Sequence, residues 1–409
     1  MEMTTSTLSP RPSLQLLGAA PHRLMFFVGV SNLLLAMLWW AAWLLAQRAG
    51  VEMVKPAVPA GWLHAYVMQY QMLPSFMFGF LLTVFPRWTH LPALPRWRYA
   101  PIGLGVFGGQ IATLLGAIGW EAGIVVGWWV TVAGWLALLS TLAPMLWREA
   151  GTTWHARCCV LALSMGLIGL GCMGAYLHGA SALWLFASIK IGSFGLLLPI
   201  YLTVAHRMFP FFAAGAIPGY VVWRPMWVLG LALSLCALHL ILELLHAYRW
   251  LWASDLPLFG LALYLCWRWW PRTPMPALLK VLFLGLTWLP ISFALYSAQT
   301  LIYLFSGQFA LGRAPAHALF IGFFGSVLIA MVTRVSQGHS GRPLQMPPIA
   351  WFAFISIQIV SLLRIGAELV KDGPLWQAIA AWAWLLALTP WAIWLGGIYL
   401  RPRIDGQKG

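Results

Sequence analysis

His239, Glu243 and His246 stand at i, i+4 and i+7 in one apolar stretch, a spacing that puts all three on one face of a helix. Such a face offers a metal three donors or a proton a relay pair. The alternative is a polar stripe that a neighbouring helix satisfies through Lys190 or Arg364. Lys190, in Ser188-Ile189-Lys190-Ile191-Gly192-Ser193, is the lysine set deepest in an apolar run, placed to attract an anionic group or to pair with Glu243. Arg364 and Glu368, four apart, read as an intrahelical ion pair. Further on, Gly338 and Gly341 flank His339 and permit a tight backbone fold that aims its imidazole back at the bundle. Beside it, Arg334 and Arg342 can clamp a carboxylate by bidentate hydrogen bonds, unless they serve only as basic anchors. Tyr66, Gln69, Tyr70 and Gln71, with Tyr296, Gln299 and Tyr303, are polar enough to line an internal cavity. The five cysteines all fall in apolar runs without a CxxC or CxxCH, so neither a disulfide framework nor covalent haem attachment is indicated.

The elements that carry these groups follow from composition. The 409 residues are 61% hydrophobic and 8% charged with mean hydropathy +0.82, whereas soluble domains carry roughly 25% charged residues. That excludes a soluble enzyme, a disordered chain and a nucleic-acid binder, despite a formal charge of +15. The expected class is an all-α integral membrane protein of about twelve transmembrane helices, because a span needs about 20 apolar residues. Apolar runs bounded by Pro, Gly and Arg place spans at 24–46, 62–85, 100–120, 122–146, 157–178 and 181–204. A second set follows at 225–247, 250–270, 277–304, 313–334, 349–370 and 375–399.

With both termini cytoplasmic, the opposite loops hold only Arg48, Lys55, Arg249, Arg313 and Lys371, with Lys190 and Arg364 inside spans. The rest of the 24 basic residues then lie on the cytoplasmic side, as the positive-inside rule requires. Residues 1–23 read as a cytoplasmic tail without a cleavable signal peptide, 24–400 as a single twelve-helix domain, and 401–409 as a second cytoplasmic tail. The 27 tryptophans, many near span ends such as Trp62, Trp88 and Trp269, suit the interfacial belt. The two six-helix halves show no register match, which counts against an ordinary transporter.

On this topology the ten histidines divide by face. His64, His178, His246 and His317 reach the outer ends of their spans, with His239 deeper, while His22, His90, His155, His206 and His339 lie toward the cytoplasm. Imidazoles from separate helices at matched depth suit axial ligation of haem or donation to copper. The competing reading is that they bond only headgroups and backbone carbonyls.

Ala316-His317-Ala318, then Met331-Val332-Thr333-Arg334 and Gly338-His339-Ser340-Gly341-Arg342-Pro343, resemble the signature of the NnrS family. His64-Ala65-Tyr66-Val67-Met68 leading to Gly79-Phe80-Leu81-Leu82-Thr83-Val84-Phe85-Pro86-Arg87-Trp88-Thr89 is similar to its HAHEM…GFLLTAVPNWT segment. Arg207 with Pro210-Phe211-Phe212 is similar to its GRVIPFFT stretch. Tyr66 stands where the pattern has a second His and Val67 where it has Glu, so a metal centre that needed both is altered here. The resemblance implies a bacterial cytoplasmic (inner) membrane protein that carries haem and copper and acts in the response to nitric oxide and nitrosative stress. It carries family histidines onto His64, His317 and His339, and less closely onto His178, with haem between His64 and His317 as the leading assignment. Copper is left to Met68, Met208 or the face of His239 and His246.

Three functions compete at this point. One is the haem protein of the nitric oxide response, whose partners are bilayer lipid and a small ligand such as nitric oxide. It is not read as a nitric oxide reductase, because only Glu243, Lys190 and Glu368 could carry protons within the membrane. The second is a secondary transporter using Lys190 and Glu243, and the third a cofactor-free assembly or regulatory protein.

Overall fold

A computed structural model describes residues 12–407, so Lys408 and residues 1–11 of the expected N-terminal tail, Arg11 among them, lie outside the described residues. Among the described residues every regular element is helical. Eleven helices are long and apolar enough to cross a membrane: α1 Pro21–Ala49, α2 Ala60–Trp88, α3 Arg96–Ala117, α4 Gly123–Arg148, α5 Trp154–Leu177, α6 Ala182–Ala216, α7 Met226–Leu244, α9 Ala277–Ser306, α10 Ala314–His339, α11 Pro348–Gly366 and α12 Gly373–Tyr399. Between α7 and α9 lies α8, Trp252–Trp269, an 18-residue helix that carries Asp255 and Arg268.

The two ends of the chain decide whether α8 crosses. Ser13 N–H donates to Leu400 O at 2.8 Å, and Arg23 Nη1 donates to Tyr399 O at 3.1 Å and Arg401 O at 2.8 Å. Both ends therefore lie on one face, which requires an even number of crossings, and α8 supplies the twelfth. Its low hydropathy reflects Asp255, a buried side chain that faces protein rather than lipid.

The helices follow a repeated scheme. Each successive group of four sends its second member inward: α2 packs on α1, α3 and α4, α6 on α5, α7 and α9, and α10 on α9, α11 and α12, while α12 closes against α1. The repeat thus has a period of four helices, which a search between six-helix halves does not detect. The three inner helices share a second feature, a stretch of wide π-helical turns at Met68–Met72 in α2, Ile191–Leu197 in α6 and Ala318–Gly325 in α10. Prolines help to produce two of them. Pro74 and Pro199 follow the wide turns, and a proline removes its own N–H donor and crowds the carbonyl four residues back. In α2 that carbonyl belongs to Tyr70, and Trp135 of α4 satisfies it through Nε1 at 3.1 Å.

Close contact elsewhere is made by glycine. A Cβ on Gly105 of α3 would lie 2.6 Å from Gly134 Cα of α4, and one on Gly109 would lie 3.0 Å from Gly127 O, so these backbones touch. Gln71 of α2 then ties both helices to the centre, donating to Thr113 Oγ1 at 3.0 Å and Thr131 Oγ1 at 2.9 Å.

Candidate cofactor sites and a buried charged network

Helix α10 spans the bundle with His317 at its outer end and His339 at its inner end, 22 residues and about 33 Å apart at ~1.5 Å per residue. The inner end packs against a histidine from another helix, and the outer end lies in the electrostatic reach of one. At the outer end His317 Nδ1–H donates to Arg313 O at 2.9 Å, which fixes the tautomer and leaves Nε2 as a lone-pair donor. His64 of α2 lies within range of its charge, as does Arg364. The His64 ring stacks on Trp40 at 4.4 Å and 10°, and its buried Nδ1 has no hydrogen-bond partner. Arg364, buried in the last turn of α11, holds Glu368 at 2.6 Å, so the pair that the spacing predicts forms, with Glu368 in the turn just past the helix end rather than within the helix. Exposed Arg313 adds a second cation at this mouth.

At the inner end the partner of His339 is His22, with ring centroids 4.2 Å apart. The buried His22 Nδ1 has no partner, nor do Arg23 Nε and Arg342 Nη1 beside it. Burial, and then the charge of Arg401, push the Arg342 guanidinium below its usual value, the condition of a cation in want of an anion. Arg334 turns elsewhere, its guanidinium stacked over the Phe212 ring at 4.2 Å. The sequence counted His22 only as one of five inner-face histidines, and did not single out Arg23, Arg313 or Arg364 for a cofactor. Their one signal was position, since His22-Arg23 opens α1 at the depth of His339 and Arg313 precedes α10 at the depth of His317.

Other expected residues stand apart. His178 is exposed at the end of α5, where Nδ1 donates to Gly174 O at 2.7 Å and the ring packs edge-on against Trp128 and Trp129. Its neighbours are those indoles, not His64 or His317. His155 and His206 form an inner-face pair, Nε2 to Nδ1 at 2.9 Å, with His206 Nε2–H donating to Pro225 O at 3.1 Å.

The expected single face of His239, Glu243 and His246 needs correction. Helix α7 ends at Leu244, and His246 lies beyond it, exposed and in the left-handed region at φ 53°, so the third group leaves the helical register. His239 and Glu243 do share a face, but their partners come from three other helices. Lys190 Nζ donates to Glu243 Oε1 at 2.8 Å, and His239 Nε2 lies 3.6 Å from the same oxygen. On its other side His239 Nδ1 lies 2.6 Å from Asp255 Oδ1, and Thr300 Oγ1 donates to Asp255 Oδ2 at 2.9 Å. Among the described residues no three His, Cys, Asp or Glu side chains are grouped to hold a metal ion, and His246 lies off the face that His239 and Glu243 share. Asp255 was missed because it opens a helix of low hydropathy, where an acid reads as an interfacial cap.

Where α2, α6 and α10 meet, a cavity of about 70 Å³ is lined wholly by apolar and aromatic side chains, among them Phe76, Leu81, Tyr201, Met208, Leu328 and Val332. Phe26 of α1 closes one side and stands edge-on to His22 at 6.5 Å, so the cavity lies just behind the inner histidine pair.

No curated protein matches the chain in a sequence search. The sequence profile of the family described as NnrS protein matches residues 17–403, nearly the whole length and all twelve helices, and the chain belongs to that family.

Proposed function

We propose that this polytopic membrane protein binds haem and acts in the bacterial response to nitric oxide, from the cytoplasmic (inner) membrane. The observation that carries the reading is that α10's inner histidine, His339, packs against His22 of α1, with rings 4.2 Å apart beside Arg23, while its outer histidine, His317, keeps Nε2 free on the side of the bundle where His64 and Arg364 lie. Haem needs one or two axial imidazoles rather than a three-donor set, together with cations for its propionates. The orphaned Nδ1 atoms of His64 and His22, and the unpartnered Arg23 and Arg342 nitrogens, fit such a group. When bound, haem supplies an iron that takes nitric oxide as a ligand. The chain's own residues do the rest. Arg313 O orients His317, Trp40 packs against the His64 ring, and the arginines at each mouth neutralise carboxylates. The apolar cavity behind His22 has room for a diatomic molecule, and its lining favours an uncharged gas over water.

The test is a reduced-minus-oxidised visible spectrum of protein purified after expression with ample haem, on wild type and on His64→Ala/His317→Ala and His22→Ala/His339→Ala. A Soret band lost or shifted by one double substitution supports the reading and locates the haem. A wild-type protein without a Soret band overturns it. The secondary transporter built on Lys190 and Glu243 would then be favoured by their ion pair, and uptake assays on Lys190→Met test it.

A further inference from the structure

Four ionisable side chains from three helices meet within the outer half of the bundle: Lys190 of α6, His239 and Glu243 of α7, and Asp255 of α8. Holding ions there costs several kcal/mol each, whereas apolar side chains would pack the same helices without that cost. The arrangement around His239 indicates what the cluster does. His239 Nδ1 lies 2.6 Å from Asp255 Oδ1, where an ionised carboxylate can only accept. Nε2 faces Glu243 Oε1 at 3.6 Å, beyond hydrogen-bond reach and with no other partner, so the ring donates to Asp255 and its second nitrogen is free to exchange toward Glu243. The stack on Phe194, with centroids at 3.6 Å, and the edge contact with Tyr296 at 5.5 Å keep the ring plane fixed while protons move in it.

The cluster meets the protein surface at one end. The side chains of Asp255 and His239 are 0% exposed, Glu243 is 9% and Lys190 28% exposed, so access rises along the chain of contacts toward the outer face. The charged and titratable groups facing the cluster are Lys190 from α6, Glu243 from α7 itself, His246 and Tyr248 from the connection that follows α7, Asp255 from α8 and Tyr296 from α9. With lysine and imidazole charged and both carboxylates ionised the set is neutral, and it can give up one proton without gathering a large charge.

We propose that Lys190, Glu243, His239 and Asp255 form a proton-exchange site. One proton is held by His239 between the two carboxylates and passes to and from the aqueous phase at the outer face through Glu243. The transfer breaks the His239 Nε2–H bond and forms a carboxyl O–H on Glu243, from which the proton goes to water; nothing is oxidised or reduced. Lys190 acts as the gate, because its ammonium occupies Glu243 Oε1, the oxygen that must take the proton. The neighbouring Phe186 ring, 5.2 Å from Nζ, gives the ammonium a second resting place. The proposal does not depend on haem.

The experiment is nitrogen-15 NMR of the full chain, labelled at histidine, in lipid nanodiscs at neutral pH, followed by transfer to D2O. His239 is assigned by the loss of its signals in His239→Gln and, should that variant not fold, by its through-space contact to the Phe194 ring. The expected result is a doubly protonated ring whose protons exchange with solvent. Exchange should slow at least tenfold in Glu243→Gln and quicken in Lys190→Met. A neutral ring, or ring protons that persist for hours while exposed His90 exchanges at once, overturns the proposal and leaves a static ionic latch. Exchange unchanged in Lys190→Met overturns the gate.

Discussion

Replacing Asp255 by asparagine tests how much the buried cluster contributes to the fold. At 2.6 Å, and with an effective dielectric of ~20, the His239–Asp255 attraction is about 6 kcal/mol before desolvation. Desolvation offsets much of this, yet removing one partner of a buried pair typically costs about 3–5 kcal/mol because the other charge is left uncompensated. The asparagine side chain would keep its one oxygen for the imidazole N–H and turn its NH2 toward Thr300 Oγ1, whose hydroxyl can still donate to Tyr296 O, and the imidazole can shed its proton, so the lower end, about 3 kcal/mol, is expected. The measurement is unfolding by SDS titration in mixed micelles, followed by tryptophan fluorescence from the 27 indoles. The double variant His239→Leu/Asp255→Leu removes the pair outright and should lie within about 1 kcal/mol of wild type. With the single variants His239→Leu and Asp255→Leu the cycle closes and should give a coupling of at least ~2 kcal/mol. A single Asp255→Asn variant within ~0.5 kcal/mol of wild type would refute the reasoning, since it would mean that the contact carries no charge interaction.

Gly109→Val should destabilise by about 1–3 kcal/mol in the same titration, because the new Cβ meets Thr131 Oγ1 and the Gly127 carbonyl. Gly108→Ala, whose nearest neighbour would be Val130 Cγ1 at 3.7 Å, should be close to neutral. At the inner end, hydrogen bonding to Arg403 holds the Asp405 carboxyl at about 2, while Arg403 Nη1 donates to His339 O at 3.1 Å and Ile404 N–H to Ser340 O at 3.1 Å. A carboxyl with a lowered folded value stabilises above its ordinary value and loses that contribution as pH falls through the folded one. The Ile404 amide should therefore resist hydrogen exchange from pH 8 down to pH 4 and open toward pH 2, and Arg403→Gln should expose it at neutral pH. In a background without native cysteines, Ser13→Cys and Gln407→Cys should react with an impermeant thiol reagent from one side of sealed vesicles and Lys371→Cys from the other. Labelling of Gln407→Cys and Lys371→Cys from the same side would refute the twelve-crossing topology.

Several features were legible in the residues alone. The apolar runs, their punctuation by proline and glycine, and the one-sided placement of basic residues each depend on local composition. A bilayer admits few structures other than helices for such runs. Depth along a span could be read by counting, which is why His64 and His317 were matched to one face and His339 to the other. The Arg364–Glu368 pair was readable because four residues make about one turn. His246 was misplaced because the stripe continues past the point where α7 stops, and counting cannot see a helix end without a strong breaker.

The sequence by itself determined the class, the order of the spans and the family resemblance, because all of these are one-dimensional properties of a chain in lipid. Only the tertiary structure decided which groups meet. It brought His22 to His339 from opposite ends of the chain, closed Asp255 onto His239, and put α2, α6 and α10 at the centre with their wide turns. The physical reason is that hydropathy records how deep a residue lies but not toward which neighbour its helix turns it. That direction is set by interhelical packing, by Gly105 and Gly109 against α4 and by Gln71 between α3 and α4, and is distributed over contacts far apart in the chain.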